Sequence, residues 1–328
     1  MLNLKTIHIA NFVTKSGKAR PIELSYQTFG QVLGSAPIVL VNHALTGNSN
    51  VCGEDGWWKD LIGDNKCIDT NQYSILAFNI PGNGYGSYEN LIEDNYKDFV
   101  ANDIANIFLL GLKELHIESL YAVIGGSVGG GLTWELAAIA PNLIKHLIPV
   151  ATDWKSTDWL VANCYLQDNI LNNSSKPIED ARIHAMMCYR TPQSFKYKFN
   201  RTFNENLDVF NIESWLLHHG EKLRNRFQLS AYKLINQILR TIDIARDKSF
   251  EEVVSEIQSH IHIVAVDNDL FFTADENKET FNKLKELNVK SSYHEIKSIH
   301  GHDAFLIEFD QLSKLLSPIF KNSSKKVA

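Results

Sequence analysis

Cysteine is scarce in this chain. Its 328 residues hold four, Cys52, Cys67, Cys164 and Cys188, and none sits in a C-x-x-C pair. That usage indicates neither a zinc knuckle nor a disulfide framework and fits a reduced, cytoplasmic setting. A basic excess is missing as well: 32 Lys and Arg stand against 38 Asp and Glu, a net charge of −6. A nucleic-acid or anionic-membrane surface is therefore not expected. Long apolar runs are absent. The most apolar stretch, residues 120–134, has five glycines in 15 residues and is too short to span a bilayer. The N-terminal segment has no extended apolar region or small-residue cleavage site, so no targeting segment is expected. No internal repeat, low-complexity tract, phosphate loop or set of metal ligands stands out. What remains is ordinary globular composition, 44% hydrophobic and 21% charged, with length enough for a sizeable core.

The order of patterns along the chain is informative. Alternation at residues 6–13 (TIHIANFV) and 22–29 (IELSYQTF) suits a leading antiparallel pair. Residues 37–43 (PIVLVNH) and 73–80 (YSILAFNI) are short, branched, nearly continuous apolar runs, as buried parallel strands are. Helical spacing follows at 98–115, a strand at 120–124 (LYAVI), a helix at 128–139 and a strand at 147–151. From 154 to 246 no strand-like run is found, and Pro177 and Pro192 break a helical or polar block. Alternation resumes at 261–266 (IHIVAV), with a helix at 276–287, a strand at 292–296, a last helix at 304–316 and a frayed tail, NSSKKVA. Strands alternating with helices imply a mostly parallel sheet covered on both faces. Residues 1–153 and 247–328 are expected to form this core. The block 154–246 is expected to be a helical lid over the carboxyl edge of the sheet, where open α/β sheets bind ligands.

The sharpest local signal is Gly125-Gly126-Ser127-Val128-Gly129, a G-x-S-x-G between a strand and a helix. A turn this tight drives the serine backbone toward positive φ and leaves no room for side chains at Gly125 and Gly129. It lifts the hydroxyl above the sheet at a helix N-terminus, where negative charge is favoured. Ser127 is thus the candidate nucleophile. On such a fold the acid and then the histidine follow the serine. His302 lies just before the last helix, with His300 its close rival. His260 and His262 alternate with strand residues and read as structural. His218 and His219 read as lid surface or packing groups, and His43 as a residue that fixes a loop. For the acid, Asp267-Asn268-Asp269 follows the strand IHIVAV; Asp269 is the first candidate and Asp267 the second. The backbone amides of Leu45, in the loop after residues 37–43, and of Val128 would form the oxyanion hole.

Taken together, these motifs resemble the homoserine O-acetyltransferase family of α/β-hydrolase-fold acyltransferases. HALTG (43–47) resembles its oxyanion loop and GGSVGG (125–130) its elbow. Tyr189-Arg190-Thr191 through Phe199 and Arg201, and FNIESWLLHHGEKLRNRF (210–227), resemble its lid pattern. Asp269-Leu270-Phe271 and GHDAFL (301–306) resemble its closing motifs, and the likeness runs from about residue 20 to 316. The resemblance implies Ser127 as nucleophile, Asp269 as acid and His302 as base. It further implies that Arg182 grips the homoserine carboxylate, Asp303 meets the ammonium and Tyr189 lines the pocket. Acetyl-CoA is then the co-substrate, no cofactor stays bound, and the product, O-acetyl-L-homoserine, feeds methionine synthesis. Members of this family are commonly dimers built through lid helices; Trp215, Leu216 and Phe227 suit such an interface or simple lid packing. There are departures. Residues 79–87 (NIPGNGYGS) look like the loop of ordinary hydrolases, and Gly131-Leu132-Thr133, residues 152–156 (TDWKS) and 227–232 (FQLSAY) differ from the family pattern. They leave open succinyl-CoA or serine as substrate, or a plain carboxylesterase.

Overall fold

The structure is a computed structural model and describes residues 4–87 and 91–321; the expected frayed tail, 322–328, lies outside them. An eight-stranded sheet forms the centre. β1 (Lys5–Val13) and β2 (Ala19–Gly30) are the antiparallel pair expected at the start, with a bulge between Ile9 and Phe12. β3 (Ile38–Asn42) is buried at every position. β4 (Ile62–Gly63) and β5 (Ile68–Asp69) pair only with each other. β6 (Ser74–Phe78), again wholly buried, precedes α1 (Ala101–Glu114), β7 (Leu120–Gly126), α2 (Val128–Ile139) and β8 (Ile144–Val150).

Next comes a helical insert. It holds α3 (Asp158–Asn173), α4 (Pro177–Tyr189), α5 (Pro192–Phe199), a hairpin of β9 (Phe203–Asn204) and β10 (Val209–Phe210), α6 (Asn211–Arg224) and α7 (Leu229–Arg240). The chain closes with α8 (Phe250–Glu256), β11 (His260–Val266), α9 (Ala274–Glu286), β12 (Ser291–Ile296) and α10 (Phe309–Phe320). Strand order is β1-β2-β6-β3-β7-β8-β11-β12, and the six strands from β6 onward are parallel.

The apolar runs read as strands because both sheet faces are covered. Phe108 of α1, Leu136 of α2, Val254 of α8 and Leu284 of α9 pack on one face. Trp58 and the α10 residues Leu312, Leu316 and Phe320 pack on the other. Full burial of such a side chain contributes about 1.5–3 kcal/mol. Within the insert, α7 turns Leu234, Ile235, Ile238 and Leu239 inward at helical spacing.

Several details depart from the sequence reading. The insert holds the β9–β10 hairpin, whose two-residue strands are too short to show alternation. Pro177 and Pro192 open α4 and α5 at their first turn, where the missing N–H costs nothing. The expected last helix at 304–316 is instead a 3₁₀ helix, Gly301–Leu306, and then α10. The break falls at Glu308, whose carboxylate accepts from the Ser298 hydroxyl at 2.7 Å. The insert's Phe227 is buried, and Trp215 packs against Phe195 and Phe199. The exposed apolar side chains of the insert are others, Trp159, Tyr165 and Tyr197 among them. Among the described residues no helix is long and apolar enough to cross a membrane.

Candidate active site

Three loops at the carboxyl ends of β7, β11 and β12 meet. Ser127 follows β7 directly and adopts φ 57°, ψ −127°, in the strained region the glycine pattern demands. A Cβ on Gly125 would press into the Gly129 carbonyl, and one on Gly129 into that of Asn42. The elbow can therefore close only with glycine at both positions. Ser127 Oγ lies 2.9 Å from His302 Nε2, and His302 Nδ1 lies 2.7 Å from Asp269 Oδ2. The other Asp269 oxygen accepts from the Phe271 and Phe272 amides at 2.7 and 3.0 Å. Nδ1–H facing a carboxylate leaves the Nε2 lone pair toward the serine hydroxyl, the arrangement in which an imidazole can take that proton.

The rival residues lie elsewhere. Asp267 accepts from the Ser298 amide at 3.0 Å and does not reach His302. His300 Nδ1 sits 3.2 Å from Arg190 Nη1 and 3.3 Å from Ser194 Oγ. His219 packs on Trp215, with ring centroids 4.2 Å apart.

His302 sits in an aromatic box. The rings of Tyr189, Phe271, Phe272 and Phe305 stand 5.2–5.9 Å from its own. Burial pushes the Tyr189 phenol well above its usual range, so it stays protonated.

The loop carrying Leu45 is pinned from behind. His43 Nε2 accepts from the Ile80 amide at 3.0 Å while Nδ1 donates to the Ala44 carbonyl at 2.8 Å. These partners fix one neutral tautomer, and burial lowers the His43 pKa to about 4. The Asn79 carboxamide oxygen accepts from the Ser49 amide and from Asn83 Nδ2, at 2.8 and 3.1 Å. The residues 79–87 that depart from the family pattern thus brace this loop. Among the described residues, neither the Leu45 nor the Val128 amide has a hydrogen-bond partner. Both donors remain available to an anionic oxygen.

A cavity of about 70 Å³ opens at Ser127, lined among others by Leu45, Arg182, Tyr189, His302, Asp303 and Phe305. α4 supplies Arg182, whose guanidinium lies 5.7 Å from the Tyr189 ring centre. Among the described residues no carboxylate lies within ion-pair distance of it. Asp303 is paired: Arg190 Nε stands 3.0 Å from its Oδ2, while its Oδ1 has no partner among the described residues. Sequence reasoning assigned nothing to Arg190, although its Tyr-Arg-Thr motif was in view. It also passed over Arg226, which donates from Nη1 to the Thr46 carbonyl at 2.9 Å and so ties the insert to the Leu45 loop.

Comparison with known proteins gives the family and the fold. The family described as alpha/beta hydrolase fold matches residues 37–306. A homoserine O-acetyltransferase of Cyclobacterium marinum is 32% identical over 93% of this chain and 92% of its own length. The structure of a homoserine O-acetyltransferase from Bacillus anthracis superposes with a TM-score of 0.88 at 19% identity, covering 97% of each chain. An acetylester hydrolase from Corynebacterium glutamicum superposes with a TM-score of 0.81, also at 19% identity, over 97% of this chain and 96% of that one. At such identities the two structures speak for the fold alone.

Proposed function

The chain belongs to the homoserine O-acetyltransferase family within the alpha/beta hydrolase fold, and we propose that it transfers acetyl from acetyl-CoA to the hydroxyl of L-homoserine. The observation that carries this reading is the hydrogen-bond chain Ser127–His302–Asp269, opening beside an arginine with no acidic partner and a carboxylate with one free oxygen among the described residues.

The reaction runs in two halves. His302 Nε2 takes the Ser127 proton as Oγ attacks the thioester carbonyl, and the Leu45 and Val128 amides hold the oxyanion. Losing one such donor costs about 100- to 1000-fold in rate. Collapse breaks the C–S bond, His302 protonates the departing sulfur, and acetyl stays on Ser127. L-Homoserine then binds, its carboxylate on Arg182 and its ammonium on Asp303 Oδ1. Each charge-assisted contact contributes about 1.5–3 kcal/mol. His302 deprotonates the homoserine hydroxyl, which takes the acetyl group, and Ser127 recovers its proton. The cavity at Ser127 is small, so the bulk of the coenzyme stays outside it. Residues 154–246 act as the lid on a core of residues 1–153 and 247–328. The exposed lid aromatics Trp159, Tyr165 and Tyr197 support a homodimer, and acetyl-CoA as a diffusible co-substrate suits the cytoplasm.

Mass spectrometry after mixing with acetyl-CoA tests the first half. An acetyl mass is expected on the peptide containing Ser127 and is absent from Ser127→Ala. Homoserine should discharge it and release O-acetyl-L-homoserine. Steady-state CoA release, beyond the first turnover, at the same rate with and without homoserine would reject the transferase reading.

A further inference from the structure

The sheet edge opposite the Ser127 site carries a cluster of imidazoles that this reaction does not use. In the parallel pairing of β8 and β11, His260 stands directly beside His146. His262, two residues along β11, faces the same side of the sheet. His146 Nδ1 lies 3.1 Å from His262 Nε2, and the three rings each offer one nitrogen within 4.8 Å of the others. The remaining nitrogen of His262, Nδ1, lies 2.8 Å from Ser292 Oγ on β12.

We propose that His146, His260 and His262 bind one divalent transition-metal ion of the zinc class, tying β8 to β11. Metal–nitrogen bonds of about 2.0–2.1 Å in a tetrahedral site hold ligand nitrogens roughly 3.3 Å apart. The His146–His262 pair already stands near that spacing. A hydroxyl on His262 Nδ1 fixes the ring and directs the Nε2 lone pair toward the shared centre, as the outer partners of metal-bound histidines do. The set is all imidazole, with no carboxylate among its members. Such donors select zinc, copper, nickel or cobalt over magnesium or calcium. The length of β11, about 20 Å at ~3.3 Å per residue, separates this cluster from Asp269, so the ion serves the fold and takes no part in acyl transfer. Nothing local in the sequence announces the set, because strand pairing joins residues 114 positions apart.

The metal-free, tag-free full chain is titrated with Zn²⁺ by calorimetry and with Co²⁺ by visible absorption. One equivalent of Zn²⁺ is expected per chain, together with a tetrahedral Co²⁺ band, a rise in Tm with Zn²⁺ and no response to Mg²⁺. His146→Gln and His260→Gln alter partly exposed positions, so circular dichroism should show the fold retained, while Zn²⁺ affinity falls at least tenfold in each. Absence of saturable one-to-one binding would overturn the proposal. So would isotherms in both variants equal to that of the unaltered chain, which would place the ion on other histidines.

Discussion

Two carboxylates follow β11 within three residues, and the backbone rather than the side chains separates them. Asp269 turns inward, where the Phe271 and Phe272 amides hold one oxygen and His302 meets the other. Asp267 turns toward the Ser298 amide. The sequence ranks Asp269 ahead of Asp267, but residue type does not separate them, since both are turn aspartates after a strand. Asp269→Asn is expected to lower the acyl-transfer rate by about 10³- to 10⁴-fold, because an amide no longer fixes the working tautomer of His302. Asp267→Ala should keep the rate and lose about 1 kcal/mol of stability, one hydrogen bond. Steady-state rates paired with urea unfolding check both; equal rate losses would put the acid at neither position. The elbow was legible for a different reason. Its glycines answer a local steric demand at Ser127, so five consecutive residues carry the whole signal. Arg190 was not legible, because its partner Asp303 lies 113 residues away and meets it only once the insert has folded.

Among the elements, those buried on both faces were read correctly from their apolar runs, β3 and β6 above all. Elements defined by geometry over two or three residues were not, such as the β9–β10 hairpin and the 3₁₀ helix Gly301–Leu306. α8 lay between the patterns, although Ser249 and Glu252 form a capping box at its start. The TDWKS departure after β8 also acquires a physical role. Asp153 accepts from the Thr280 hydroxyl of α9 at 2.9 and 3.0 Å, and Asn277 donates to the Thr152 carbonyl at 2.9 Å, so the turn is knotted to α9. Burial raises the Asp153 pKa from 3.8 to about 7. A raised folded pKa contributes stability that is complete below the unfolded value and is lost as pH climbs through the folded one. Between pH 4 and 8 this carboxyl therefore turns against folding, by an amount of the order of a few kcal/mol. Asp153→Asn keeps the hydrogen bonds without the charge; its Tm relative to the unaltered chain should rise from pH 4 to pH 8. A constant offset across that range would rule out the buried carboxyl as the cause. A second link between elements is Arg226 to Thr46. Arg226→Met should let the Leu45 loop drift and lower kcat by roughly 10- to 100-fold, with Arg226→Lys recovering part. Unchanged kcat would show the loop held by His43 and Asn79 alone.

At the scale of the whole molecule, the question is what makes one fold transfer rather than hydrolyse. The same architecture superposes on an acetyltransferase and on an acetylester hydrolase, so neither the sheet nor the elbow can decide it. The acyl-serine of either enzyme has the same chemistry, and water is always the more abundant acceptor. Transfer wins only where the acceptor's binding energy is spent on the second half-reaction and the covered site keeps water out. Under the proposed reaction those tasks would fall to the insert, where α4 carries Arg182, the Tyr189 ring lies 5.3 Å from that of His302 and Arg226 is tied to the Leu45 loop. The first half-reaction needs none of the acceptor contacts. Arg182→Met should therefore leave acetylation of Ser127 nearly unchanged while slowing its discharge to homoserine by about 10- to 100-fold, the worth of one charge-assisted contact. Water's share of the acetyl group should grow accordingly. Single-turnover measurement of acetyl-enzyme formation and of its decay with and without homoserine separates the two halves. If both slowed together, Arg182 would be supporting the fold of the site rather than choosing the acceptor.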